Sequence, residues 1–406
     1  MKVRAFRGVH PTADVAAQVA SVPYDVVNAE EAREMAAGNP HSFLHVVRAE
    51  IDLAEDADHY SSEVYQQSAR ALARMRADGV LVQDQDRQLY VYELTMGDHA
   101  QCGVVACCAV SDYDDGTIKR HEQTREEKLR DRVTLVDTLG ANSGPVFLTY
   151  RDSAGVDALV AQARATEPLI SLERENGNRH TIWTVPVPAD MEAAFARVPA
   201  AYIADGHHRA AAAAEVAKLR RDRNPEMDNA GSDWFLTVLF PASQMRIMPY
   251  NRVVHDLNGR TSAEFLEALS GVGDVSSGSA EVPETRGSVG IYIEGQWHRL
   301  TWHEGVVDPS DEVGRLDVSV LQSRVLEPVL GIADPRRDER IAFVGGIRGI
   351  GELERLVDGG EAAVAFAMHP VEVEDLIAVS DAERLMPPKS TWFEPKLLSG
   401  LLVHVF

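Results

Sequence analysis

Residues 201–220 read AYIADGHHRAAAAAEVAKLR: an apolar run, then an acid, a glycine, two histidines and an arginine ahead of five alanines. Ala201–Ala204 is short and strand-like, and Ala210–Ala214 are strong helix formers. Asp205–Arg209 therefore fall where a strand hands over to a helix. Such a junction exposes backbone N–H groups that, with the helix dipole, favour an anion, and Gly206 lets the backbone come close to it. His207, His208 and Arg209 add donors for phosphate oxygens, while Asp205 can hold Mg²⁺ or accept a proton. Polyphosphate is the natural ligand. The plainer alternative makes Asp205 an N-cap and the basic residues a solvated first turn. Three potentially positive side chains there oppose the dipole unless something negative sits beside them. Packing of the helix on a sheet is enough to explain the alanines.

Outward from this stretch, 406 residues exceed what one core usually holds, so more than one lobe is expected. Apolar residues at 45% and charged residues at 25% are those of a folded chain. The formal net charge of -23 argues against nucleic acid and anionic membrane surfaces as main partners. No apolar run approaches the roughly 18 residues that span a bilayer, and MKVRAFRGVH lacks the apolar core of a secretory leader, which predicts a cytoplasmic protein. Cys102, Cys107 and Cys108 share one strand-like segment and read as buried reduced thiols.

Asn28 and Glu31 form a capping-box pattern for a short helix ending at Gly38. Tyr60, Val64, Leu72 and Met75 mark a long amphipathic helix that stops at Gly79. QLYVYELTM and QCGVVACCAV flank GDHA as a hairpin. Further strands are predicted at GPVFLTY, RHTIWTVPV, DWFLTVLF, QMRIMPYNRVV and SVGIYIEG. Helices are predicted from Arg125 onward and over SAGVDALVAQARA, DMEAAFARV, TSAEFLEALSG and LDVSVLQSRVLEPVLG, and PEMDNAGSD and SGSAEVPETRGS read as surface loops. Strict βαβ alternation is missing, which favours an α+β fold of mixed sheets with packed helices. The expected divisions are an N-terminal lobe over 1–150, a nucleotide-binding region over 151–260 and a C-terminal lobe over 261–406.

Three other stretches are candidates for chemistry. GTIKRHEQTREEKLRDR, residues 116–132, reads as a solvated helix with i,i+4 pairs, or as a loop offering Glu122 as a general base near bound phosphates. SVPYDVVNAEE brings Tyr24 and Asp25 to the end of an extended stretch. MPPKSTWFEPKLLSGLLVHVF displays Lys389, Ser390 and Thr391 after two prolines, suited to a phosphate or to an ordinary turn before an edge strand. FVGGIRGIGE lacks the spacing of a phosphate loop and reads as a turn.

ADGHHRAAAA resembles the nucleotide-binding turn of the ParB/sulfiredoxin superfamily. VPYDVVN, NPHSFLHVVRAEIDL, GTIKRHEQT, YIADGHHR and the closing MPPKSTWFEPKLLSGLLVHVF, in this order, resemble the family named for domain of unknown function 1015. His207 stands where sulfiredoxins keep a catalytic cysteine, and the acidic chain shows no basic recognition helix of the ParB kind. The superfamily's free serine kinases carry an aspartate-glycine-histidine-x-arginine turn, matched by Asp205, Gly206, His207 and Arg209. Their catalytic glutamate follows proline and histidine. His121 and Glu122 match that motif, with Arg120 in place of the proline.

The resemblance implies a ParB/sulfiredoxin-like nucleotide-binding core and phosphoryl transfer from ATP or ADP, with Mg²⁺, to free L-serine or a similar hydroxylated metabolite. Glu122, Asp205 and His208 would be catalytic, with Asp205 also on the metal. Gly206, His207, His208, Arg209 and His121 would bind the nucleotide. Tyr24, Asp25, Lys389, Ser390 and Thr391 would bind the acceptor. A nucleotide-binding sensor and a phosphate-ester hydrolase are the alternatives, and a homodimer is one option for the assembly.

Overall fold

The computed structural model describes residues 1–225, 230–278 and 282–406. Parts of PEMDNAGSD and SGSAEVPETRGS, read above as surface loops, lie outside the described residues. The chain forms two compact units, one of Met1–Met245 with Pro395–Phe406 and one of Arg246–Glu394.

The first unit is built on a nine-stranded mixed sheet. Its strands are β1 (Val3–Arg4), β2 (Tyr90–Met96), β3 (His99–Ala109), β4 (Ile118–Lys119), β5 (Val146–Tyr150), β6 (Ile170–Glu173), β7 (Arg179–Thr184), β8 (Ala201–Asp205) and β9 (Trp234–Pro241). Their order is β4-β8-β5-β9-β3-β2-β7-β6, with β1 paired on β3. The expected hairpin is β2 and β3, in register from Tyr90↔Val105 to Met96↔His99. Strands from before and after residue 150 share this one sheet, so no boundary falls there. The second sheet, rather than residue 260, sets the division at Met245.

Among the described residues, six longer helices belong to this unit: α1 (Ala29–Ala36), α2 (Ser62–Ala77), α3 (Glu126–Leu139), α4 (Ala154–Arg164), α5 (Pro188–Phe195) and α6 (His207–Arg223). The capping box of α1 is made, Asn28 accepting from the Glu31 N–H and Glu31 from the Asn28 N–H. A lost cap of this kind costs about 1 kcal/mol. Val64, Leu72 and Met75 of α2 are buried as their spacing requires, but the helix begins after Tyr60, which stays half exposed.

Two cores result. In one, Val156 and Ala163 of α4, Phe195 of α5, and Ala210, Ala213 and Ala217 of α6 pack on the sheet, so the alanines let a helix approach strands closely. In the other, α1 and α2 enclose Phe43, Val46 and Val403. The C-terminal segment returns through Ser399 to Ser21 and Val403 to Val9, and His404–Val405 pairs with Ala141–Asn142. Cys102, Cys107 and Cys108 are free and buried, and burial drives the Cys102 and Cys108 thiols up to about 12.

The second unit holds a six-stranded antiparallel sheet in the order Gly273–Ser277, Gln296–Trp302, Ser288–Ile293, Val364–Met368, Tyr250–Val254, Ile341–Gly345. FVGGIRGIGE crosses from the last of these through a short 3₁₀ turn into the helix Ile350–Asp358, consistent with a turn. The chain is thus an α+β protein. No described helix is long and apolar enough to cross a membrane.

Candidate functional site

The pairing of β4 with β8 positions the site. The two strands are parallel, with Ala201 opposite Ile118 and Tyr202 opposite Lys119. They therefore leave the sheet at the same edge, and Glu122 and Asp205 each follow their paired residue by three positions. A register shift between Ile203 and Asp205 on the β5 side bulges the strand. Bulges re-aim the side chain that follows them, here the Asp205 carboxylate.

Gly206 then turns the chain into α6 with φ 96° and ψ 31°, left-handed values that glycine adopts without strain. A Cβ at this position would lie 3.0 Å from Arg209 Nε. No side chain caps α6, and its first turn holds no acidic residue. The first N–H groups of a helix have no intrahelical acceptor, so this end can receive an anion.

Asp205 does not act as the N-cap. Its Oδ2 lies 3.3 Å from Lys396 Nζ and 3.6 Å from Arg209 Nη2. Burial alone would push this carboxyl up, but the Lys396 and Arg209 charges outweigh it and hold it well below the usual carboxylate range. Arg209 also donates to the Pro145 carbonyl. Burial tends to lower its pKa, and Asp205, Asp25 and Tyr24 overcome that, so the guanidinium is firmly charged.

The two histidines of the motifs meet in the interior. His121 and His207 pack edge to face with ring centroids 4.5 Å apart. The His121 N–H points to His207 Nε2 at 3.5 Å, and His207 Nδ1 lies 4.0 Å from Glu122 Oε2. Burial lowers His121 to about 4 and, joined by the neighbouring His121, drives His207 well below its ordinary value. Both rings are therefore neutral at pH 7. The positive charge expected in this first turn comes instead from Arg209, with Lys396 beside it. His208 turns outward and accepts the Arg125 N–H at 3.0 Å, fixing the loop that carries Glu122 against α6.

Tyr24 and Asp25 come to the same place. The Arg132 guanidinium carbon stands 3.9 Å from the centre of the Tyr24 ring. Tyr24, Ser143, Gly144 and Arg209 line a small cavity of about 30 Å³. Burial, then the Asp25 charge, pushes the Tyr24 phenol up to about 12, so it is a hydrogen-bond donor at neutral pH.

Lys389, Ser390 and Thr391 belong to the second unit. Lys389 has φ 57°, its carbonyl accepts from the buried Arg252, and Ser390 Oγ donates to the Pro387 carbonyl. The cation that the closing stretch delivers to Asp205 is Lys396, seven residues further on. Nothing in the order of residues marks Lys396 over Lys389. Only the bridges that tie Ser399 and Val403 into the first unit reveal it.

The protein is thus an α+β chain with an uncapped helix start, an ionised aspartate and a glutamate gathered at one sheet edge. It belongs to the family described as "Protein of unknown function (DUF1015)", whose model matches residues 3–319. Comparison with curated proteins gave no match. Among solved structures, the chain is similar to a free serine kinase in complex with AMP, at 13% identity and a TM-score of 0.35 over 74% of this chain and 92% of that one. A conserved hypothetical protein from Pyrococcus furiosus gives 14%, 0.35, 74% and 95%. SbnI with a C-terminal truncation from Staphylococcus aureus gives 9%, 0.37, 73% and 85%.

Proposed function

We propose that the chain is a small-molecule kinase that moves the terminal phosphoryl group of ATP, or of ADP, to the hydroxyl of free L-serine or a similar hydroxylated metabolite. The observation that carries this reading is the approach of Glu122 to within 4.0 Å of His207 at the uncapped start of α6. This approach, between two stretches more than 80 residues apart in the chain, supports reading Glu122 as a base beside a phosphate site.

In this mechanism the N–H groups of the first turn of α6, with Arg209, hold the nucleotide phosphates. Gly206 keeps the approach open. Glu122 accepts the acceptor's hydroxyl proton as its oxygen forms a bond to the terminal phosphorus and the bond to the leaving phosphate breaks. Mg²⁺ commonly takes one or two carboxylates together with substrate phosphates, and the ionised Asp205 suits that role. When bound, the ion would neutralise charge on the transferring group. His121 and His207 act as neutral hydrogen-bonding groups, and His208 positions the Glu122 loop. Tyr24 and Asp25 are assigned to the acceptor's amino group.

Replacing Glu122 by Gln tests the reading. Nucleotide affinity should be kept while turnover falls at least about 100-fold, the usual worth of a general base. A variant with unchanged turnover would remove Glu122 from the mechanism.

A further inference from the structure

His121, Glu122 and His207 each offer one ligand atom, and all three atoms lie within 4.8 Å of one another. We propose that these residues form a binding site for a divalent transition cation of the Zn²⁺ or Co²⁺ kind, distinct in chemistry from a Mg²⁺ carried with nucleotide. Two imidazoles and a carboxylate suit Zn²⁺ and its neighbours, whereas Mg²⁺ selects oxygen ligands. The same set of three, with a position left open, serves catalytic zinc.

The surroundings are those of a built site. The His121 ring hydrogen-bonds the Ile203 backbone, which commits one ring nitrogen and orients the other, as partners behind metal-bound histidines do. His207 is the first residue of α6 and His121 follows β4 by two positions, so both rings stand on the ends of regular elements. Asp205 adds a negative charge facing both rings. The nearby cations are Lys396 and Arg209, both engaged by Asp205, and Arg120, which also faces His207.

Ligand atoms around tetrahedral Zn²⁺ lie roughly 3.4 Å apart, from bonds of about 2.0 to 2.1 Å. The His207–Glu122 separation of 4.0 Å must therefore close by about 0.6 Å, and a pair at the 4.8 Å limit by about 1.4 Å. Glu122 can supply that movement: its side chain is 39% exposed against 5% for His207, so it is both the adjustable ligand and the point of entry.

This proposal needs no nucleotide and goes beyond the kinase reading. One consequence does rest on that reading: a transition cation would occupy the Glu122 oxygen needed as base, so Zn²⁺ should inhibit turnover that Mg²⁺ supports.

The test uses the full chain, stripped of metal with a chelator, in the absence of nucleotide and acceptor. Co²⁺ is titrated in and followed by its visible absorption, then displaced by Zn²⁺. The metal retained after dialysis against Zn²⁺ is measured in parallel. We expect one equivalent per chain, little displacement by millimolar Mg²⁺, and affinity weakened at least about tenfold in Glu122→Gln and in His207→Asn. The Glu122 change is made at a half-exposed position, so circular dichroism should be unchanged and a failure to fold cannot imitate the loss. Absence of a cobalt band, or equal binding by both variants and the unmodified chain, would overturn the proposal. Because turnover is not read, a negative result leaves the kinase reading intact. Loss of kinase activity in every condition would likewise leave the metal result standing.

Discussion

Replacing Lys396 by Met removes the nearer of the two cations that hold Asp205 ionised. At 3.3 Å and an effective dielectric near 20, the direct attraction is roughly 5 kcal/mol. Much of that is offset. The Asp205 and Lys396 side chains keep 28% and 20% of their exposure, both ions lose hydration, and Arg209 remains at 3.6 Å. A coupling of about 1 to 2 kcal/mol is what should survive. The assay is a double-mutant cycle of Lys396→Met and Asp205→Asn, with unfolding by urea at pH 7. Each single change should cost about 1 to 3 kcal/mol, and the double change should cost less than their sum by the coupling. The sign of its pH dependence follows from a folded carboxyl pKa held below its unfolded value. The stabilisation is fully present above about pH 4, where the unfolded group is also ionised, and is lost as pH falls toward the folded value. The coupling should thus be the same at pH 7 and pH 5. Single changes that add to within about 0.5 kcal/mol would refute the argument.

Two further outcomes follow from the same geometry. Gly206→Ala places a Cβ at φ 96° and 3.0 Å from Arg209 Nε, so it should cost about 1 to 2 kcal/mol in a urea titration and weaken nucleotide binding by calorimetry. Binding and stability equal to those of the unmodified chain would contradict the role given to this turn. Burial holds His121, His180 and His404 at about 4, so stability is intact above the unfolded value of 6.5 and falls as pH drops toward 4. Each group should remove about 2 kcal/mol by pH 5, and thermal melts that do not shift between pH 7.5 and pH 5 would count against these buried neutral rings.

Much of the first unit was legible because its local signals agree. The Asn28–Glu31 box, the hairpin around GDHA and the strand-to-helix change at Asp205 each follow from short-range chemistry. Less was legible where long-range pairing decides the outcome. Ile118–Lys119 is too short to stand out as a strand, yet its parallel partnership with β8 brings Glu122 to α6. The neutrality of His207 also escapes a reading of residue types, since it depends on burial against His121. The division of the chain at Met245 and Glu394 reflects which sheet each strand joins, which short-range signals do not show. Lys396 and Lys389 stand in one stretch, and the assignment of each to its own unit is visible only in three dimensions.

The measurement that bears most directly on the proposed function is phosphorus NMR of the purified chain with Mg²⁺, ATP or ADP, and a pool of hydroxylated amino acids, run beside Glu122→Gln and Asp205→Ala. The kinase reading predicts a new phosphomonoester signal with the unmodified chain alone, and subdividing the pool then names the acceptor. Tight nucleotide binding with no phosphomonoester from any member of the pool, or an equal signal from all three proteins, would contradict it.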